Sequence, residues 1–348
     1  MSGPTSSGHA TTDPTGPSPA VGGPPNGSTV MTRDRVEAAG AVLGDQVRTT
    51  PILTVDGAEF GVEATVTLKL EFLQHSGTFK GRGALHFLLV NDISAAGVTA
   101  ASGGNHGVAV AWAAAKLGHR ATIFVPTISA PAKVARLRSL GAEVVQVGDV
   151  YADALAACQE HQASTGATSI HAYDAPDVVA GAGTTAQELD RQVSAAGLPG
   201  LDTVLVACGG GGLSAGVAGW NGTATQVVAC ETVGTAAWAE AKAAGEPVDV
   251  SVSGLAADAL GATRIGRVAF DTLSSVGAAS AVVDDEATAS ARQDLWDRFR
   301  LAVEASAAVP LAVLRTGTWR PPAGAHLGII ICGANTSPAD LVPSGSDR

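Results

Sequence analysis

Short apolar runs alternate with alanine-rich stretches along most of this chain, and that alternation decides the fold class. The runs at 65–70, 98–101, 121–125, 142–147, 202–208, 225–230, 279–283 and 326–331 predict strands. The stretches at 105–117, 130–140, 151–165, 177–195, 234–244, 263–275, 285–301 and 304–315 predict helices. Strands separated by helices imply parallel sheet wrapped by helices, an α/β fold. A length of 348 residues suffices for one large domain or two linked ones. With 46% hydrophobic but only 4% aromatic residues, the cores are mostly Ala, Val and Leu.

Charge and composition exclude several functions. The net charge is −11 and no basic cluster stands out, which argues against nucleic-acid binding. No apolar run approaches the roughly 18 residues a membrane span needs. Residues 1–29 are rich in Gly, Pro, Ser and Thr and predict a disordered tail. They contain no apolar core, and the first basic residue is Arg33, so a secretory leader is not expected. Cys158, Cys208, Cys230 and Cys332 show no metal or redox spacing. They read as reduced, buried thiols in a cytoplasmic protein.

Chemistry concentrates at a lysine and three loops. Lys80 follows the run Thr65 to Leu70 and opens the amphipathic stretch Ala84 to Val90. Ser76, Gly77 and Thr78 predict a turn and helix cap before it. A lysine at such an entrance invites a Schiff-base role, because burial lowers its pKa and only the neutral amine attacks a carbonyl. The first loop runs Ser102-Gly103-Gly104-Asn105-His106-Gly107 into a helix. Its free amides can hold an anion such as a carboxylate, or it is an ordinary turn capped by Asn105. The second loop, Gly209 to Gly212 followed by Leu213, suits a phosphate cradle. Gly210, Gly212 and Ala215, with Glu231 after the next strand, also approximate a dinucleotide fingerprint. In the third, a strand ends at Cys332, at a sheet edge where ligands bind; a small core thiol is the alternative.

In this order the four pieces resemble the serine/threonine dehydratase family of fold-type II pyridoxal-phosphate enzymes. The resemblance runs from about Val36 to Leu341. Further matches are Pro131-Ala132-Lys133, Leu140-Gly141-Ala142, Tyr173-Asp174-Ala175-Pro176 and Glu304-Ala305-Ser306-Ala307-Ala308. It implies two open parallel-sheet α/β domains of the tryptophan synthase β-like type, with the active site between them. The large cofactor-binding domain would cover 30–96 and 173–343, and the small one 97–172. It implies pyridoxal 5′-phosphate as cofactor and Lys80, beside Phe79, as the covalent anchor and base. Asn105 would face the 3′-oxygen, Gly209 to Gly212 and Leu213 the phosphate, and Cys332 the pyridine nitrogen. Ser102, Gly103, Asn105 and His106 would grip the substrate carboxylate. A homodimer acting on a small amino acid is implied as well.

The implied reaction is ammonia-lyase chemistry on a β-hydroxy amino acid, by default L-threonine or L-serine. Racemisation or β-replacement on the same cofactor is the alternative. Gly103 stands where racemising relatives carry a second Ser or similar base. Glu231 matches a cation-binding Glu of some relatives, but Ala237 replaces the next acidic ligand, so no metal is expected. Gly181-Ala182-Gly183 replaces a common Gly-Gln-Gly, and His75 a common Pro, which would alter the substrate pocket. A nicotinamide oxidoreductase built on Gly210 to Glu231 would leave Lys80 and the Asn105 loop unused. A non-catalytic cofactor-binding or sensor protein is the remaining reading.

Overall fold

The computed structural model describes residues 29–337. Residues 1–28 and 338–348, which hold most of the expected tail and the end of the expected 173–343 segment, lie outside it. After α1 (Arg33–Leu43), β1 (Ile52–Asp56) pairs antiparallel with β2 (Ala64–Lys69), Leu53 opposite Leu68. Then follow α2 (Lys80–Val90), β3 (Val98–Ala101), α3 (Asn105–Leu117), β4 (Ala121–Val125) and α4 (Pro131–Ser139). β5 (Glu143–Gln146), α5 (Tyr151–Thr165) and the two-residue β6 (Thr168–Ser169) come next. Beyond them lie α6 (Pro176–Ala195), β7 (Thr203–Ala207), α7 (Gly212–Asn221), β8 (Gln226–Thr232) and α8 (Ala237–Ala244). The chain continues through α9 (Ala257–Leu260), α10 (Arg267–Ser275), β9 (Ala279–Val283), α11 (Asp285–Phe299), α12 (Ala305–Thr316) and β10 (Ala325–Ile330).

The strands form two sheets. One has the order β1-β2-β10-β7-β8-β9 and is parallel except at β1. The other, β5-β4-β3-β6, is parallel throughout. Every residue of β7 and β10 is buried, which is why these strands read as continuous apolar runs. β1 differs. It lies at an edge, none of its residues is fully buried, and it carries no continuous apolar run. β6 is too short to leave a sequence signal. α12 is buried from Ala305 to Leu314 and lies across β7, β8, β9 and β10. An apolar surface all round is what a helix in the core requires.

Parallel sheets bring their carboxyl ends to one side, and the three chemically suggestive loops leave β3, β7 and β10. Behind them α6 crosses α7 at two glycines. A Cβ on Gly183 would lie 2.7 Å from the Gly216 carbonyl oxygen, and one on Gly216 would lie 2.5 Å from the Gly183 nitrogen. The backbones themselves are in contact, so no side chain fits. Gly216→Val is expected to destabilise the fold by at least about 1–3 kcal/mol through overpacking. A urea titration should show a lower midpoint at unchanged slope.

Candidate active site

The loop carrying Lys80 is laced to the turn after β10. Phe72 N–H donates to the Ile331 carbonyl at 2.9 Å, and Phe79 N–H to the Cys332 carbonyl at 3.0 Å. Ala334 N–H returns a bond to the Gly77 carbonyl at 3.0 Å, and Thr78 bridges Gly333. Gly77 has φ +80°, a conformation that suits glycine. The expected side-chain cap is not formed. The Ser76 hydroxyl donates to the Thr78 carbonyl at 2.8 Å, and α2 begins behind Phe79 without a side-chain cap bond. The strand also stops earlier than expected, at Ile330, leaving Cys332 in the laced turn.

Lys80 is the first residue of α2 and is partly buried. Its Nζ donates to the Ala172 carbonyl at 2.6 Å. Burial lowers its pKa to about 8, against the opposing pull of Cys332 and Glu304. It shares a cavity with Phe79, Asn105, Gly209 to Gly212, Leu213 and Cys332. Tyr173, Leu260, Glu304 and Ser306 complete much of the wall. Asn105 comes from the four-stranded sheet's side and most of the others from the six-stranded one, so the cavity lies between the two.

Each glycine of the second loop has its own reason. A Cβ on Gly209 would meet the Leu260 Cα at 2.8 Å, and one on Gly210 the Tyr173 ring at 2.4 Å. Gly211 has φ +85°, and its Cβ would meet the Ala269 Cβ at 2.4 Å. A Cβ on Gly212 would meet the Tyr173 backbone at 3.0 Å. Substitution here therefore disturbs packing as well as the amide-lined surface. α7 starts at Gly212, and its first-turn amides face outward with no partner inside the helix.

Asn105 opens α3, and its side chain does not cap the helix. Its Nδ2 donates to Glu304 Oε1 and Oε2 at 2.9 and 3.0 Å, while its Oδ1 is buried without a partner. Glu304 is the residue before α12, and burial raises its pKa. The Cys332 thiol is buried too, and burial holds its pKa well above the usual thiol range, so it stays neutral.

Several residues singled out in the sequence do not line this cavity, Ser102, Gly103 and His106 among them. The His106 ring is buried with Nε2 on the Ile170 carbonyl at 2.8 Å; burial lowers its pKa to about 3 and keeps it neutral. A side chain at Gly103 would meet Val125 at 3.4 Å and Ser129 at 4.0 Å. His75 stacks on Trp112 at 5.2 Å and lies outside the cavity wall. Glu231 is fully buried and accepts N–H bonds from Trp238 at 2.6 Å and Ala239 at 2.9 Å, capping the start of α8. Its carboxylate is thereby spent on backbone amides, which removes the acid that a dinucleotide reading needs. Tyr173 and Glu304 carry no sequence signal beyond the segments they belong to, and Leu260 carries none.

The geometry yields two expectations. Lys80 should react with a small aldehyde, trapped by borohydride, with a pH midpoint near 8 instead of 10.5, because the neutral amine is reached earlier. Peptide mapping across a pH series reads this. Gly211→Ala should lower thermal stability by about 1 kcal/mol or more, because the positive φ strains any side chain.

Comparison with known proteins agrees with this geometry. Over 309 residues the chain is 36% identical to phenylserine dehydratase of Ralstonia pickettii, covering 86% of this chain and 91% of that one. It is 34% identical to L-threonine ammonia-lyase of Geobacter sulfurreducens over 288 residues, 80% of this chain and 69% of that one. Its fold matches maize serine racemase with a TM-score of 0.82 at 29% identity, covering 90% of this chain and 96% of that one. Residues 43–333, which contain Lys80, the glycine loop and Cys332, match the family described as pyridoxal-phosphate dependent enzyme, and the chain belongs to that family.

Proposed function

We propose that this chain is an ammonia-lyase that converts a β-hydroxy amino acid to a 2-oxo acid and ammonia. The observation that carries the reading is Lys80, with its pKa lowered to about 8, in one cavity with the glycine loop and a neutral buried thiol. Two relatives, a phenylserine dehydratase and an L-threonine ammonia-lyase, are named for reactions of this class. L-threonine and L-serine are the default substrates, and a β-aryl serine belongs in the same panel. We also take the two sheets as cores of two domains, with 97–172 the smaller, and the working form as a homodimer.

The residues present fit the cofactor. The glycine loop lines the cavity without side chains, and the Asn105 Oδ1 is a buried acceptor without a partner. When bound, pyridoxal phosphate supplies an aldehyde for Lys80 and a ring that draws electrons from the substrate Cα. Amides of Gly209 to Leu213 and the α7 N-terminus would hold the phosphate. Asn105 would stand at the phenolic oxygen and Cys332 at the ring nitrogen, where a neutral thiol does not enforce protonation as a carboxylate would. The first-turn amides of α3 would hold the substrate carboxylate; His106, neutral and turned to Ile170, adds no charge there. Lys80, as a free neutral amine, would take the Cα proton as base. The β-hydroxyl would leave as water, taking up the proton that Lys80 then carries, and hydrolysis of the released enamine would yield the oxo acid and ammonia.

Racemisation needs proton transfer on both faces of Cα. Gly103 has no group to deliver the second proton, which favours elimination. Incubation with L-serine, L-threonine and L-phenylserine should release keto acid far faster than the D-enantiomer appears, as chiral chromatography would show. Rapid D-enantiomer without keto acid would select the racemase reading. Lys80→Ala should lower turnover by about 10³-fold or more, since anchor and base are lost together. Borohydride should fix the cofactor on Lys80 in the unaltered protein, and labelling of another lysine would overturn the assignment.

A further inference from the structure

Glu304 is a buried carboxylate, 7% exposed, inside the cavity wall. Three donors converge on it. They are Asn105 Nδ2 at 2.9 and 3.0 Å, Ser306 Oγ at 2.7 Å and Asn335 N–H at 3.2 Å. Gly333 makes room for it, since a Cβ there would lie 2.4 Å from Glu304 Oε1. Burial pushes its pKa up, and the three donors, which favour the ionised form, oppose that.

Among the described residues no lysine or arginine forms an ion pair with Glu304. A buried charge without a counter-charge is costly. The charged and titratable groups that act on it come from three other elements. Lys80 stands at the start of α2, Cys332 follows β10, and Asp258 lies on α9. Cys332 is neutral and Asp258 is engaged by Lys133 at 2.7 Å. Lys80 is therefore the one cation available to it in the cavity.

We infer that Glu304 is a positioning residue that orients the Asn105 amide and the Ser306 hydroxyl toward the cofactor ring and supplies the counter-charge that keeps the nitrogen of Lys80 cationic. The two tasks share one geometry. Asn105 must turn its amino group to Glu304, because its carbonyl oxygen would otherwise face two carboxylate oxygens. The Ser306 hydroxyl, which donates to Glu304, also stands beside the Cys332 thiol. One carboxylate thus links a group from α3 with groups from α12 and the turn after β10. A role confined to helix α12 would need none of this.

The inference rests on the ammonia-lyase reading only in placing the cofactor on Lys80. The test is a pH titration of the visible band of holoenzyme reconstituted with pyridoxal phosphate. In Glu304→Gln the midpoint should fall by about 1 pH unit or more, because loss of a nearby anion disfavours the cationic nitrogen. Glu304→Asp keeps the charge and should hold the midpoint closer to that of the unaltered protein. A midpoint unmoved in Glu304→Gln, with cofactor still bound, would overturn the inference. Where Glu304→Gln does not fold, Gly333→Ala serves instead. Its methyl group displaces the intact carboxylate, so the midpoint should move, and an unmoved midpoint with cofactor bound would overturn the inference. Borohydride labelling of Lys80 in the unaltered protein is read alongside. Its failure would count against the cofactor assignment, and an unmoved midpoint with labelling intact would count against Glu304 alone.

Discussion

The backbone lacing between the loop before α2 and the turn after β10 is the constraint on which the site depends. β10 sits in the middle of the six-stranded sheet, between β2 and β7. Anything bonded to its end inherits that rigidity. Phe79 N–H on the Cys332 carbonyl fixes the residue before Lys80, and Ala334 N–H on the Gly77 carbonyl closes the other side. The lysine therefore stands beside Cys332 and Glu304 by main-chain geometry. Side-chain packing needs only to set its last few torsions.

A second restraint lies beneath α2. Arg82, two residues beyond Lys80, pairs with Glu71 at 2.6 Å and with Glu188 at 3.0 Å. Lys69 pairs with Glu188 and also donates to the Thr50 carbonyl at 2.6 Å. Arg82, Glu71 and Lys69 are almost wholly buried, and two cations balance two carboxylates. Such a network adds little net stability, but removing one member leaves a buried charge unpaired, at a cost of about 3–5 kcal/mol. Its structural effect is to tie β2, α2, α6 and the segment before β1 together, which sets the rotation of α2 about its axis.

What was legible in the chain follows from what is local. β4, β7 and β10 are legible because a strand buried on both faces is a continuous apolar run, whereas β1 is half exposed at an edge and β6 has two residues. The glycine loop and Lys80 were legible because turns and helix entrances demand particular residue types. The orientation of the His106 ring is not legible for the opposite reason. Its neighbours in sequence form the anion-binding loop, but its ring turns inward to the Ile170 carbonyl. Glu304 shows no partner within its own segment, since the groups that define it come from α3 and from the turn after β10. Tyr173 is similar. Its ring lies where a Cβ on Gly210 would be and its backbone against Gly212, relations that exist only after folding.

That last contact shows how the two halves of the site are coupled. Residues 172–174 follow β6, the end strand of the four-stranded sheet. Within these three residues the Ala172 carbonyl receives Lys80 Nζ at 2.6 Å, and Tyr173 covers the glycine loop. Asp174 Oδ1 accepts the Val268 N–H at 2.9 Å and thereby fastens the segment to α10. One short stretch thus touches the lysine, the glycine loop and the large sheet's outer helices at once. The lysine's hydrogen-bond partner and the cover of the glycine loop are thus adjacent residues of one chain segment, and Asp174 fixes both against α10.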